Sequence, residues 1–370
     1  MKTPARSIKT VGGNVVLLLG SVTIVAVVLE GLLAAFLPPP IVWRDPQETY
    51  VNDPGMGYKL APLQTTYTHS FSVVTNSHGF RGREVSLAPS PGTVRILCLG
   101  DSLTFGTGVA ERDTYPNQLE SMLNSQEQPR YEVINTGVPG YDTWQEVAFF
   151  RKYGIEFRPD LVIIGFYAND IVPKPKLVQE PVADAGGLRR QGFGQFVPDP
   201  MVYMLKRSRL LMFVKDRYVK LVNRIMPSQE YLHQRALLDG AVNDFKEKGW
   251  MEVDNSLKEM SELRTAGRFH LLLVIFPMAE QLLNHYPNAQ YQSRLRMLAE
   301  KHAIPTIDLK PAFEREFKGF GSLFIEWDGH PNATAFTITA KEIERFIVQT
   351  LGHQRINDRP DRLPSEPNNR

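Results

Sequence analysis

Four short segments, far apart in the chain, carry residue types that can perform nucleophilic chemistry. The first follows the apolar run Leu97-Cys98-Leu99 and reads Gly100-Asp101-Ser102-Leu103-Thr104. A strand that breaks through Gly-Asp-Ser into a helix places Ser102 at the carboxyl edge of a sheet, where a helix start favours negative charge. A serine hydroxyl is a weak nucleophile until a base takes its proton. Near the other end stands Trp327-Asp328-Gly329-His330-Pro331-Asn332, a histidine in a tight turn with a carboxylate two residues earlier. That pair makes a base with its own orienter. Between them, Asn135-Thr136-Gly137-Val138-Pro139-Gly140 offers glycines after a strand, where backbone can approach a ligand. Gly165-Phe166-Tyr167-Ala168-Asn169-Asp170 ends in Asn169, a neutral donor able to support a developing oxyanion. Each segment also has an ordinary reading, as a polar turn for Ser102 and His330 and as a helix cap or Asx turn for Asn169.

The elements around these segments decide between the two. From Thr93 onward, short β-rich apolar runs alternate with helical patterns, which predicts βαβ units around a parallel sheet. Strands are expected at Val94–Leu99, Glu132–Asn135, Leu161–Phe166, His270–Phe276 and Thr306–Leu309. Helices are expected at Tyr115–Asn124, Trp144–Tyr153, Val253–Thr265, Gln290–Lys301 and Ala333–Leu351. The fold class is α/β, a three-layer helix–sheet–helix sandwich with a five-stranded parallel sheet of flavodoxin-like type, preceded by one transmembrane helix. Right-handed crossovers put a ligand site at the carboxyl ends of the strands. All four segments sit at a strand end or at the entry to the final helix, on that one edge.

In this order, Ser, Gly, Asn and Asp/His, the segments resemble the four blocks of the SGNH (GDSL-type) hydrolases, over residues 93–351. The resemblance implies a serine esterase with Ser102 as nucleophile, His330 as base and Asp328 as the acid of the triad. It implies an oxyanion hole from the backbone N–H groups of Ser102 and Gly140, chosen over Gly137 by its spacing from Asn135, together with the Asn169 amide. Two positions depart from the family pattern. Tyr167 stands where the third block usually has glycine, and Asp328 precedes His330 by two residues rather than three, with Glu326 the reserve candidate. The two-residue spacing also resembles exported polysaccharide O-acetylation proteins of the same superfamily. The anchor and Asn76-Ser77-His78-Gly79-Phe80-Arg81 look like a membrane-tethered branch among cell-envelope glycan enzymes.

The remaining chain sets the context. Residues 15–36 form an almost wholly apolar run, long enough at about 1.5 Å per residue to span a hydrocarbon core of roughly 30 Å. Lys2, Arg6 and Lys9 precede it and Pro38-Pro39-Pro40 follow, so residues 1–14 are expected to be cytoplasmic and the rest exported, with the anchor in the cell's inner membrane. Glu30, near the outer end, is expected to reach the headgroup region. Residues 37–92 read as a polar connector with a weak strand or hairpin near Tyr67–Thr75 and a turn at Asn76–Arg81. Residues 171–249 interrupt the βα rhythm as a mostly helical insertion. Within it, Met201–Met226 carries Lys206, Arg207, Arg209, Lys215, Arg217, Lys220 and Arg224 against Asp216. It is either a cap with a solvated basic face or a contact for anionic lipid or acidic glycan. Residues 352–370 read as a disordered tail.

Lys plus Arg total 42 against 40 for Asp plus Glu, a balance that carries no nucleic-acid signal. The one cysteine, Cys98, reads as buried filler. No cofactor or metal is expected. Three functions share these residues: a hydrolase of acyl esters of carbohydrate or lipid, an O-acyltransferase served by a multi-pass membrane acyl donor, and a non-catalytic glycan-binding protein. The intact Ser102, Asn169 and His330 favour the first two.

Overall fold

The computed structural model describes residues 5–44, 46–125, 130–171, 183–184, 187–188, 207–227, 229–240, 244–287 and 289–351. The chain divides into two compact units, one of residues 43–191 and 228–370, the other of residues 1–42 and 192–227.

The larger unit is built on five parallel strands: β5 (Thr93–Gly100), β6 (Arg130–Asn135), β7 (Leu161–Phe166), β8 (His270–Ile275) and β9 (Thr306–Asp308). They are ordered β9-β8-β7-β5-β6, with Leu97 opposite Ile134 of β6 and Val162 of β7. Every residue of β5 and β7 is buried, because helices cover both faces and a central strand then needs apolar residues throughout. Alternate side chains separate into two cores. Leu97 and Leu99 join Val147, Phe149, Val253, Leu257 and Leu295, from the helices Thr143–Lys152, Asp244–Gly267 and Tyr291–Lys301. Ile96 and Cys98 join Leu119, Phe313, Phe336 and Ile343, from the helices Tyr115–Leu123, Lys310–Glu316 and Ala333–Phe346. Strand and helix ends lie within a few residues of the expected ones, apart from the helix beginning at Asp244, which starts nine residues earlier.

The chain enters the sheet at β5, moves out to β6, then crosses over β5 to β7 and onward. Its direction reverses beside β5, so β5 ends in the crevice where open α/β sheets gather ligands.

The segment expected to be a connector belongs to this unit from Trp43 onward. It forms two antiparallel hairpins, β1 (Tyr50–Asp53) with β2 (Gly57–Leu60) and β3 (Thr65–Thr68) with β4 (Phe71–Val74). Tyr50, Met56, Tyr58, Leu60, Val73 and Phe80 are buried in the same core as Leu97 and Phe149. A boundary at 92/93 therefore has no counterpart in the packing, since the segment contributes apolar side chains to the sheet's own core. The Asn76–Arg81 turn is closed by Asn76, whose Oδ1 accepts from the N–H groups of His78 and Phe80 at 3.0 Å each.

In the smaller unit the helix Ala5–Phe36 contains, at Gly12–Phe36, a segment long and apolar enough to cross a membrane. The second described helix there is Arg209–Ile225. Lys206 and the 352–370 tail lie outside the described residues.

Candidate active site

The nucleophile turn starts where β5 stops. Asp101 caps the four-residue helix Ser102–Phe105, its Oδ1 accepting from Leu103 N–H at 2.8 Å. Gly106, left-handed at φ 83°, ends it by donating its N–H to the Ser102 carbonyl. So short a helix has few bonds of its own, and the connector supplies the rest. The Arg81 guanidinium, 3% exposed, donates to the carbonyls of Phe105 at 2.8 Å and of Gly106 and Val109 at 2.7 Å each. Burial lowers the Arg81 pKa to about 10, with Glu111 and Glu48 opposing the shift, so it stays cationic at neutral pH.

Asp328 and His330 sit in a turn closed by Ile325, whose N–H donates to the His330 carbonyl and whose carbonyl accepts from Asp328 and Gly329. Trp327 takes a left-handed φ of 66° there, uncommon for an aromatic residue. Asn332 then caps the last helix through the Thr334 and Ala335 N–H groups. The turn brings His330 Nε2 to 2.9 Å from Ser102 Oγ, across 228 residues of sequence. His330 Nδ1 hydrogen-bonds Asp328 Oδ1, which also accepts the His330 backbone N–H at 3.1 Å. With Nδ1–H donated to the carboxylate, Nε2 is left to accept from the serine. The reserve candidate, Glu326, lies over Gly321 instead.

The electrostatics follow the geometry. Burial alone would raise the Asp328 carboxyl, but hydrogen bonds from His330 and His69 outweigh it and hold the group far below the usual carboxylate range. Burial disfavours the His330 imidazolium. The Asp328 bond and charge, and the charges of Asp101 and Glu48, nevertheless raise the His330 pKa above its ordinary value.

The two remaining blocks flank the serine because β6 and β7 flank β5. Asn169 lies in a turn of 3₁₀ helix after β7, and its Nδ2 donates to Asp101 Oδ2 at 2.9 Å. One amide hydrogen thus ties the two strand ends together, and the second can serve a ligand. Gly137 and Gly140 differ sharply. A Cβ on Gly137 would stand 2.2 Å from the Phe105 nitrogen, so this glycine is packed beneath the nucleophile helix. Gly140 is exposed at φ 82°, and a Cβ there would meet the Tyr58 hydroxyl at 2.7 Å. Tyr58 in turn donates to the Pro139 carbonyl at 2.9 Å.

Sequence reasoning missed three residues, all from the connector. His69, 4% exposed, places Nε2 3.3 Å from the second Asp328 oxygen, Oδ2. Its φ of 53° and the edge of Trp43 against its ring fix it in the β3–β4 turn. Glu48 has a buried Oε2 without a hydrogen-bond partner among the described residues, and burial raises its pKa against the charges of Arg81, His69 and His330. Arg81 is the third. Glycines around the turn at Gly79 were visible, but nothing in the local pattern announces a partner twenty-four or more residues away.

Residues 98–337 match the model of the GDSL-like lipase/acylhydrolase family. The chain belongs to that family. The chain is 32% identical over 97 residues to an acetylxylan esterase of Xylanibacter ruminicola, an alignment covering 24% of this chain and 19% of that protein. It therefore spans about a fifth of that relative's length. Among solved structures it is similar to LAE5, an alpha/beta hydrolase enzyme from the metagenome of Lake Arreo, at 15% identity and TM-score 0.42, covering 71% of this chain and 96% of that one. It is also similar to Axe2, an acetylxylan esterase of Geobacillus stearothermophilus, at 17% identity and TM-score 0.42, covering 69% and 94%.

Proposed function

We propose that the chain is a membrane-tethered serine esterase whose catalytic unit faces the non-cytoplasmic side, acting on short acyl esters of carbohydrate. The observation that carries the chemistry is the continuous chain from Ser102 Oγ through His330 to Asp328. His330 takes the serine proton as Oγ attacks the ester carbonyl, and Asp328 fixes the tautomer and stabilises the imidazolium. Negative charge gathering on the carbonyl oxygen is received by the N–H groups of Ser102 and Gly140 and by the second hydrogen of Asn169 Nδ2. The alcohol leaves with the proton returned by His330. Water, deprotonated by the same imidazole, then releases the acid.

The acetylxylan esterase relative supports a carbohydrate ester as the substrate class. The apolar Gly12–Phe36 helix and the basic residues before it support the tether and its orientation.

An organophosphonate should label the full-length protein once, with the adduct mapping to Ser102, and acetylated xylooligosaccharides should release acetate. A Ser102→Ala protein that still turned over its best ester at the original rate would refute the triad. Acetyl appearing on an added sugar acceptor rather than in water would assign the chain to O-acyl transfer. Protease added to intact spheroplasts should digest the catalytic unit, and protection until lysis would reverse the orientation.

A further inference from the structure

The smaller unit contains a feature that esterase chemistry leaves unexplained. Glu30, inside the apolar helix Ala5–Phe36, closes the start of the helix Arg209–Ile225. Its Oε1 accepts from Arg209 N–H at 2.8 Å, and its Oε2 from Ser208 Oγ at 2.7 Å and Leu210 N–H at 3.0 Å. The Arg209 Nε donates to the Leu37 carbonyl at 3.3 Å. A carboxylate in apolar surroundings requires partners of this kind, and free N–H groups at a helix start supply them. Ala26, Glu30 and Leu33 on the apolar helix, and Leu37 just beyond its end, form one partly covered stripe at the spacing of a single helix face.

The helix seated there is amphipathic. Leu211, Val214, Tyr218, Leu221 and Ile225 recur at spacings of three and four, so they share one face, and each is between 44% and 69% exposed. Arg209, Asp216 and Lys220 occupy the opposite side, and Lys215, Arg217 and Arg224 flank the stripe. An apolar stripe this open on a helix carrying five basic residues and one acidic is the pattern of a helix lying in a lipid interface. Its depth is set by the cap. Glu30 lies six residues before Phe36, the end of the membrane-length segment, which at 1.5 Å per residue is about 9 Å below it. Interfacial helices bury their apolar face roughly 5–10 Å into the headgroup–acyl boundary.

We infer that Arg209–Ile225 is an interfacial helix, docked by Glu30 at the non-cytoplasmic end of the anchor, with the Leu211–Ile225 stripe in the acyl boundary and its basic face among anionic headgroups. The inference rests on the membrane reading of Ala5–Phe36. The Glu30 cap fixes the helix to the span, so the anchor presents a second, surface-parallel attachment rather than a single flexible stalk.

Single cysteines carrying a bimane label test this in the full chain reconstituted into vesicles of phosphatidylcholine and phosphatidylglycerol. The native Cys98 is fully buried and its thiol is pushed far above the usual range by burial, so it does not compete for the label. Labels at Tyr218 and Leu221 should be quenched by nitroxide-bearing lipids as strongly as a control at Val22, and be severalfold less sensitive to aqueous iodide than a label at Lys220. Glu30→Ala should return the Leu221 label to iodide while leaving the Val22 control unchanged. Iodide quenching at Leu221 equal to that at Lys220, with Val22 still lipid-quenched, would overturn the interfacial helix and leave the anchor standing. Shielding of Leu221 from both quenchers would overturn it in favour of protein cover, such as a second copy. A Val22 label open to iodide would remove the membrane reading itself, and the inference with it.

Discussion

The parallel sheet and the hairpin segment before it meet at one site but build it by opposite means. The sheet positions Ser102, Gly140 and Asn169 through backbone: β5, β6 and β7 are neighbours, so their ends are neighbours too. The hairpins position nothing by strand order. They reach the site with long side chains, Arg81 to the nucleophile turn and His69 to the acid. A site framed by a sheet edge alone would lack the Arg81 donors to the Phe105, Gly106 and Val109 carbonyls and the His69 contact to Asp328. The hairpin segment closes that gap, so residues 43–92 belong with the sheet in the larger unit.

The comparison predicts where damage is greatest. Removing the sheet-edge nucleophile or its acid should cost most: Ser102→Ala and Asp328→Asn should each lower turnover by about 10⁴-fold. Glu326→Gln should stay within a few-fold of the parent, because its carboxylate lies over Gly321 and not on His330. Steady-state assays of the three variants check this, and a larger loss from Glu326→Gln than from Asp328→Asn would reassign the acid.

The same contrast explains what the sequence disclosed. Strands β5 and β7 are legible because burial on both faces demands unbroken apolar runs, and helix periodicity marks the layers around them. The four chemical blocks are legible because parallel topology sends all strand ends to one edge. Arg81 and His69 are not, since each sits in a short polar turn whose pattern looks the same whether its side chain meets water, the Ser102 turn or Asp328. Glu30 was visible as a charge in an apolar run, but its partners at Ser208–Leu210 lie some 180 residues on.

Arg81 separates the two modes of construction experimentally. Arg81→Met removes the guanidinium from three carbonyls of the Ser102 turn, leaving Gly106 the Val109 N–H at 3.3 Å and Phe105 the Asn135 Nδ2 at 3.4 Å, and a carbonyl left dry costs on the order of 1–3 kcal/mol. A loss of about 3 kcal/mol in stability is expected, comparable with the 2–5 kcal/mol typical of a core truncation such as Ile163→Ala. The two should differ in activity. Below their melting temperatures Ile163→Ala should keep most of its kcat, while Arg81→Met should lose it about 100-fold because Ser102 is no longer held. Equal kcat in both would mean that Arg81 only stabilises.

His69 should show a smaller effect on the acid side. His69→Ala removes a hydrogen-bond neighbour from Asp328 Oδ2 and frees the carboxylate to turn, so kcat should fall about 10-fold with KM little changed. His69→Gln retains a donor and should recover part of the loss. Failure of Gln to do better than Ala would show that ring packing against Trp43, rather than the hydrogen bond, is what matters.

The smallest expected effect is a displacement of the pH profile, and it sets the two regions against each other directly. Only neutral His330 can accept the serine proton, so kcat/KM must fall as pH drops through the His330 pKa. That pKa is raised above its ordinary 6.5, since the bond and charge of Asp328 and the charges of Asp101 and Glu48 outweigh burial. The acid limb should therefore lie above pH 6.5. Asp101 belongs to the sheet edge, where it also caps the Ser102–Phe105 helix and holds Asn169, whereas Glu48 belongs to the hairpin segment and its buried Oε2 has no hydrogen-bond partner among the described residues. Glu48→Gln removes one negative charge facing the imidazole, which favours the neutral form and should move the limb to lower pH by a fraction of a unit, with the plateau rate kept. Asp101→Asn should move it in the same direction while lowering the plateau, because the cap and the Asn169 tie weaken together. A limb left in place by Glu48→Gln would mean that Glu48 is already protonated there, the outcome its own burial favours, and would leave the sheet edge and Asp328 as the sources of the shift.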